Sequence, residues 1–216
     1  MHRTFRDRRE AGRVLAGRLS AYCGRADVVV LGLARGGVPV GWEIAAALGV
    51  PLDVFLVRKL GVPQWPELAM GAIASGGAVV INESVVKSLR ISDAQLQEVM
   101  ARESAELDRR ELAYRGGRDA ADLHAKAVIV ADDGIATGAS MRSALRAVRT
   151  AAPSKVVVAV PVGPTAVCRR LGPDADDVVC AISPARFEAL GQVYDDFRQV
   201  TDDEVRELLN TPTTSD

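Results

Sequence analysis

The chain has 216 residues, 48% hydrophobic and 25% charged, a composition that can bury one sizeable core and does not suit a disordered or low-complexity protein. A net charge of −1 provides no overall field to draw in nucleic acid or an anionic membrane, so neither is an expected partner. Cys23, Cys168 and Cys180 lie far apart without a C-x-x-C pair, and His2 and His124 sit in unrelated segments, which argues against a disulfide framework and a zinc site.

In chain order, MHRTFRDRRE lacks the apolar stretch of a signal peptide, and no window reaches the ~18 uninterrupted apolar residues of a membrane span, so a cytoplasmic protein is expected. A first helix is predicted over 6–22. DVVVLGLA (27–34) reads as a buried strand, a helix follows over 38–48, and LDVFLV (52–57) is the next strand. AVVIN (78–82) reads as a shorter, peripheral strand. The segment from Ser92, a suitable N-cap, to the Gly116-Gly117 stop is predicted as one long helix. Leu96, Met100, Leu107 and Tyr114 form a narrow apolar stripe on it, with Glu98, Arg102, Glu106 and Arg109 on the other faces. That pattern fits a solvated helix with a thin buried seam; a flap or a dimer arm is the alternative. AVIVA (127–131), KVVVAVP (155–161) and DVVCAIS (177–183) are further strands, with helices over 138–151, 164–171 and 202–209. The alternation of strand and helix predicts an α/β fold, a doubly wound and mostly parallel sheet flanked by helices. One domain is expected over 1–210, with a disordered tail at 211–216.

The chemistry concentrates in VIVADDGIATGAS (128–140): a buried strand, two carboxylates at its carboxyl end, and a loop of small residues running into a helix. Ligands of open α/β sheets bind at such strand ends. Gly134, Ile135, Ala136, Thr137, Gly138, Ala139 and Ser140 offer backbone N–H groups, close approach and two hydroxyls, the makings of a phosphate cradle. A helix cap made by the same residues is the plainer reading. The loop lacks the lysine of a Walker A motif, and GLARGG (32–37) lacks the spacing of a dinucleotide fingerprint. A sugar phosphate fits better, because its phosphate suits the loop and its hydroxyls suit the carboxylates.

This stretch resembles the phosphoribosyl diphosphate (PRPP) motif of the type I phosphoribosyltransferases, in which an apolar strand, two acidic residues and a T-G-x-T/S loop follow one another. The resemblance implies that Asp132 and Asp133 bind the ribose 2- and 3-hydroxyls and that Gly134 to Ser140 hold the 5-phosphate. LGLARGGVPVGWEIAAALG (31–49) resembles the family's diphosphate loop, which assigns that role to Arg35, Gly36 and Gly37 and implies a cis non-proline peptide next to Arg35. FLVRKLGVP (55–63) is similar to the strand end and flexible-loop start of the adenine and orotate branches, where Arg58 and Lys59 would approach the diphosphate. The resemblance runs over roughly 25–200. It is nearest to uncharacterised bacterial members of the family that share D-D-G-I-A-T-G, Y-R-G-G-R (Tyr114 to Arg118) and F-x-x-x-G-x-x-Y-x-D-F (Phe187 to Phe197).

By this resemblance the expected activity is transfer of a phosphoribosyl group from PRPP to a small-molecule, possibly nitrogenous-base, acceptor. Arg35, Arg58 and Lys59 would act as the catalytic cations on the departing diphosphate. The expected cofactor is Mg2+, held mainly by PRPP and water, with no protein metal ligands. Ala136 stands where hypoxanthine-guanine enzymes carry an acidic residue, which argues against a 6-oxopurine acceptor. PARFEALGQVYDDF (184–197) is similar to the purine-enzyme hood, making Phe187 and Tyr194 candidates to stack on a base, against a reading as core aromatics. Hood or flap elements are expected at about 60–118 and 184–200. Two alternatives share the fold: a PRPP or nucleotide sensor, touching nucleic acid through Arg102, Arg109, Arg110, Arg115 and Arg118, and a hydrolase of phosphoribosyl compounds. A homodimer is expected in which the long helix joins the interface and brings Arg115 or Arg118 near the partner's anion site.

Overall fold

The structure, a computed structural model, describes residues 4–213. In chain order the elements are α1 (Arg8–Arg18), β1 (Val28–Leu33), α2 (Gly37–Leu48), β2 (Leu52–Phe55), β3 (Val57–Val62), β4 (Trp65–Ala74), β5 (Val79–Ile81), α3 (Glu83–Ser88), α4 (Asp93–Arg115), β6 (Ala127–Ala131), α5 (Ala139–Thr150), β7 (Lys155–Val162), α6 (Thr165–Arg170), β8 (Asp177–Ile182) and α7 (Asp202–Asn210). The main sheet has the order β2-β1-β6-β7-β8 and is parallel throughout.

The uninterrupted apolar runs of β1 and β6 follow from burial on both faces, because a parallel sheet is covered on each side. Val28, Val30, Ile129 and Val157 face α1 and α2, meeting Leu15, Leu19 and Ile44. Val29, Leu31, Val128 and Val156 point the other way onto Met141, Leu145 and Val148 of α5 and Leu171 after α6. In register, Gly32 lies beside Ala131 and Leu33 beside Phe55, so β1, β2 and β6 finish level. The turns leaving β1 and β6 are therefore neighbours.

A second sheet, β3-β4-β5, is antiparallel and was not expected beyond the short strand at 78–82. Its hairpin is hidden in the sequence by Pro63, Pro66 and Gly61, with register shifts around Gly61. α4 has the predicted extent. Ser92 and Gln95 form a reciprocal capping box, and Gly116 ends the helix in the left-handed conformation. It packs on β3, β4 and α7 through Val99, Leu107 and Tyr114, with Leu96 and Met100 against the same cluster, while Leu112 is exposed. The thin buried seam is what the structure shows. Among the described residues no helix is long and apolar enough to cross a membrane.

Arg115 and Arg118, expected near a partner's anion site, make their hydrogen bonds within this chain. The Arg115 side chain is 8% exposed, donates to Asp53 at 3.0 Å and to the Val54 carbonyl at 3.0 Å, and lies 3.3 Å from Glu111. Arg118 donates to the carbonyls of Arg115 and Leu209. Both arginines fasten α4 to its own sheet and to α7. At the C-terminus, Thr213 donates to the Val50 carbonyl and Trp42 donates to that of Thr211, so the described part of the expected tail is tied to the domain. Residues 214–216 of that tail, like His2, lie outside the described residues.

Candidate active site

The carboxylate pair and its loop form one concave surface at the carboxyl end of β6. Asp132 to Met141, together with Leu190, line a cavity of about 200 Å3. Every loop residue singled out in the sequence is in it. α5 starts at Ala139, and its N-cap, Gly138, has no side chain to satisfy the first-turn N–H groups. The local alternative is a long 3.4 Å contact from the Ala139 N–H to the Thr137 hydroxyl, which leaves the helix end open to an anion. Gly138 is itself required: its φ is +78°, and a Cβ there would lie 2.9 Å from Val167.

The Arg35-Gly36-Gly37 turn at the end of β1 presses against this surface. A Cβ on Gly36 would sit 2.1 Å from an Asp133 carboxylate oxygen, and one on Gly37 2.4 Å from the Ala131 carbonyl oxygen. Only glycine permits both approaches. The Ala34–Arg35 peptide is cis, as the resemblance implied. Arg35 lies 3.6 Å from Asp202 at the start of α7, and Asp202 accepts a 2.6 Å hydrogen bond from Tyr114. That bond holds the Asp202 carboxyl below its ordinary range, while burial and the same bond push the Tyr114 phenol up to about 12.

The two aspartates differ. Asp132 is partly buried and accepts from the Asp133 N–H at 2.9 Å; burial first, and the neighbouring Asp133 charge second, push its carboxyl well above the ordinary range. Asp133 is also raised by burial, but Arg8 opposes the shift from 2.8 Å. Arg8 was not singled out in the sequence. It stands among other arginines in FRDRRE, and its partner lies 125 residues away, so no local signal marks it.

The remaining sequence candidates are placed elsewhere or put to other use. Arg58 pairs with Glu103 and Lys59 with Glu67, and both line a separate cavity of about 620 Å3 between the β3-β4 hairpin and α4. They are not brought together with the Asp132 to Ser140 loop. Tyr194 is a core aromatic rather than a stacking platform. It is 7% exposed, packs against Phe5 and Phe197, and donates its hydroxyl to the Asp133 carbonyl at 2.7 Å. Phe187 is half-buried against the same cluster, so packing also accounts for it. From the 184–200 segment, Leu190 lines the cavity, a residue with no distinctive chemistry in the sequence. Among the described residues no group of three or more His, Cys, Asp or Glu converges to hold a metal ion.

A family model described as the phosphoribosyl transferase domain matches residues 7–198. A Mycobacterium tuberculosis (strain ATCC 25618 / H37Rv) protein named "Putative phosphoribosyl transferase Rv0571c" is 48% identical over 206 residues, covering 95% of this chain and 46% of that protein. The chain thus spans about half the length of the curated relatives it matches. The crystal structure of TT1426 from Thermus thermophilus is 44% identical with a TM-score of 0.82, over 95% of this chain and 97% of that one.

Proposed function

From the premise that this chain belongs to the phosphoribosyl transferase family, we propose that it transfers a phosphoribosyl group from PRPP to a small-molecule acceptor and releases diphosphate. The observation that carries this reading is the seating of the Arg35-Gly36-Gly37 turn directly on Asp133 and Ala131, beside the Gly134 to Ser140 loop. A ribose 5-phosphate bound with its phosphate at the start of α5 directs its hydroxyls at the carboxylates, and a 1-diphosphate then meets the turn. Each handle of PRPP has a chemically matched partner.

The residues act by positioning and electrostatics. As the bond from ribose C1 to the diphosphate oxygen breaks, positive charge grows on the ribose ring and negative charge on the leaving group. Arg35 and the N–H groups at the start of α2 stabilise the latter, while the two carboxylates hold the ribose hydroxyls and orient C1. Mg2+, the cofactor that the resemblance implies, would be held mainly by PRPP and water and would supply positive charge to neutralise the diphosphate. Ala136 leaves the acceptor without an acidic partner at that point of the loop, which disfavours a 6-oxopurine.

The test is diphosphate release from PRPP and Mg2+ with and without a panel of nitrogenous acceptors, run on the wild-type chain and on Arg35→Ala. Acceptor-dependent release that Arg35→Ala lowers at least tenfold, with ribose 5-phosphate affinity retained, is expected. Acceptor-independent release identifies a hydrolase, and binding without any release identifies a sensor.

A further inference from the structure

Asp133 is already engaged by a cation from a distant part of the chain. The Arg8 and Asp133 side chains meet at 2.8 Å and are only 11% and 12% exposed. The arginine is fixed on three sides. Its Nε donates to the Asp133 carboxylate, its Nη1 donates to the Arg198 carbonyl at 2.8 Å, and its guanidinium carbon lies 4.1 Å from the centre of the Phe197 ring. The carboxylate oxygen that accepts from Arg8 is also the one against which Gly36 of the diphosphate turn is packed. Arg8 therefore buttresses the ribose carboxylates and, through them, the turn that meets the leaving group.

We propose that Arg8 is a positioning residue for the carboxylate pair: it fixes Asp133 as a charged anchor behind the diphosphate turn and leaves Asp132 as the main acceptor for the ribose hydroxyls. The inference rests on the phosphoribosyl reading of the site. Its physical reason is charge balance, since two adjacent desolvated carboxylates repel one another and a proton shared between them would relieve the repulsion. Arg8 offers relief without the proton. The titratable and charged groups facing Asp133 are Asp132 from the end of β6, Arg8 from α1 and the Tyr194 phenol from the hood, and Arg8 is the cation among them. The device also makes α1 and the 194–198 hood segment part of the ribose site, because Arg8 is held by Phe197 and Arg198.

The experiment compares wild type, Arg8→Lys and Arg8→Gln in two measurements. In the first, side-chain carboxyl carbon shifts of Asp132 and Asp133 are followed by NMR against pH in the ligand-free protein. Arg8→Gln should move the Asp133 transition upward by a unit or more, on the order of the shifts seen when a carboxylate loses an adjacent cation, and Arg8→Lys should restore most of it. An Asp133 titration unchanged in Arg8→Gln overturns the proposal whatever the ligand. In the second, calorimetry of ribose 5-phosphate at pH 6 and pH 8 should show a larger loss of affinity in Arg8→Gln at pH 6 than at pH 8, because a carboxylate that has lost its cation takes up its proton at higher pH. Equal losses at both pH values make Arg8 a structural residue and overturn its positioning role. Failure of the wild type to bind ribose 5-phosphate at either pH overturns the phosphoribosyl reading instead, while the NMR titration still decides whether Arg8 governs Asp133.

Discussion

Substituting Gly37 with alanine isolates the contact between the Arg35-Gly36-Gly37 turn and the strand that carries the carboxylates. The new Cβ would stand 2.4 Å from the Ala131 carbonyl oxygen and 2.9 Å from the Asp132 Cα, and raising the first contact to an ordinary 3.4 Å asks for about 1 Å of retreat. β6 sits between β1 and β7, so the turn must be what moves. Overpacking of this kind costs ~1–3 kcal/mol, which for a chain of this size lowers the melting temperature by roughly 2–12 °C. The functional effect should be larger. A displacement near 1 Å costs on the order of 100-fold in rate, and loss of one charge-assisted contact to the diphosphate weakens PRPP binding by ~1.5–3 kcal/mol, about 10- to 150-fold. Ribose 5-phosphate, which lacks the diphosphate, should bind within about threefold of wild type, below the cost of even a neutral hydrogen bond of about 1 kcal/mol. Calorimetry with both ligands in Mg2+ is the assay. Gly17→Ala is its control, since a Cβ there meets nothing within 4 Å. PRPP binding by Gly37→Ala that matches wild type would refute the placement of the diphosphate against this turn.

Three further outcomes follow from the same geometry. Arg115→Met strips the buried Asp53 of its cation and should cost ~3–5 kcal/mol, measured by urea unfolding, with Asp53→Asn/Arg115→Met recovering part of the loss; an Arg115→Met protein of unchanged stability would return Arg115 to a role outside its own core. Asp132→Asn should raise the melting temperature of the ligand-free protein at pH 8. The Asp132 carboxyl titrates above its unfolded value, so its ionisation destabilises the fold at high pH, and the gain should shrink as pH falls through that raised pKa toward the ordinary carboxylate range; a pH-independent gain would contradict the burial of that charge. Changing Asp132 and Asp133 together to asparagine should abolish measurable ribose 5-phosphate binding, since each lost charge-assisted hydrogen bond is worth ~1.5–3 kcal/mol, and unchanged affinity in calorimetry would remove the carboxylates from the ligand site.

The sequence by itself determined whatever depends on near neighbours. The all-apolar runs of β1 and β6 announce strands buried on both faces, Ser92 and Gly116 delimit α4, and Asp132 to Ser140 spell out a carboxylate pair followed by a loop of small residues that line one cavity. These features are legible because spacing and caps are local physics. The tertiary structure alone decided where the charges end. Arg115 and Arg118 look in sequence like the solvated arginines before them, yet Arg115 is buried on Asp53, because the end of α4 runs back beside β2. Arg58 and Lys59 follow a strand end in sequence, but the chain turns at once into the β3-β4 hairpin and carries them to Glu103 and Glu67. Arg8 meets Asp133 because α1 packs on the sheet and Phe197 lies against its guanidinium. A charged side chain has the same local signature whether it faces water or a buried partner, and the difference is set by which distant segment the fold brings to within hydrogen-bonding distance.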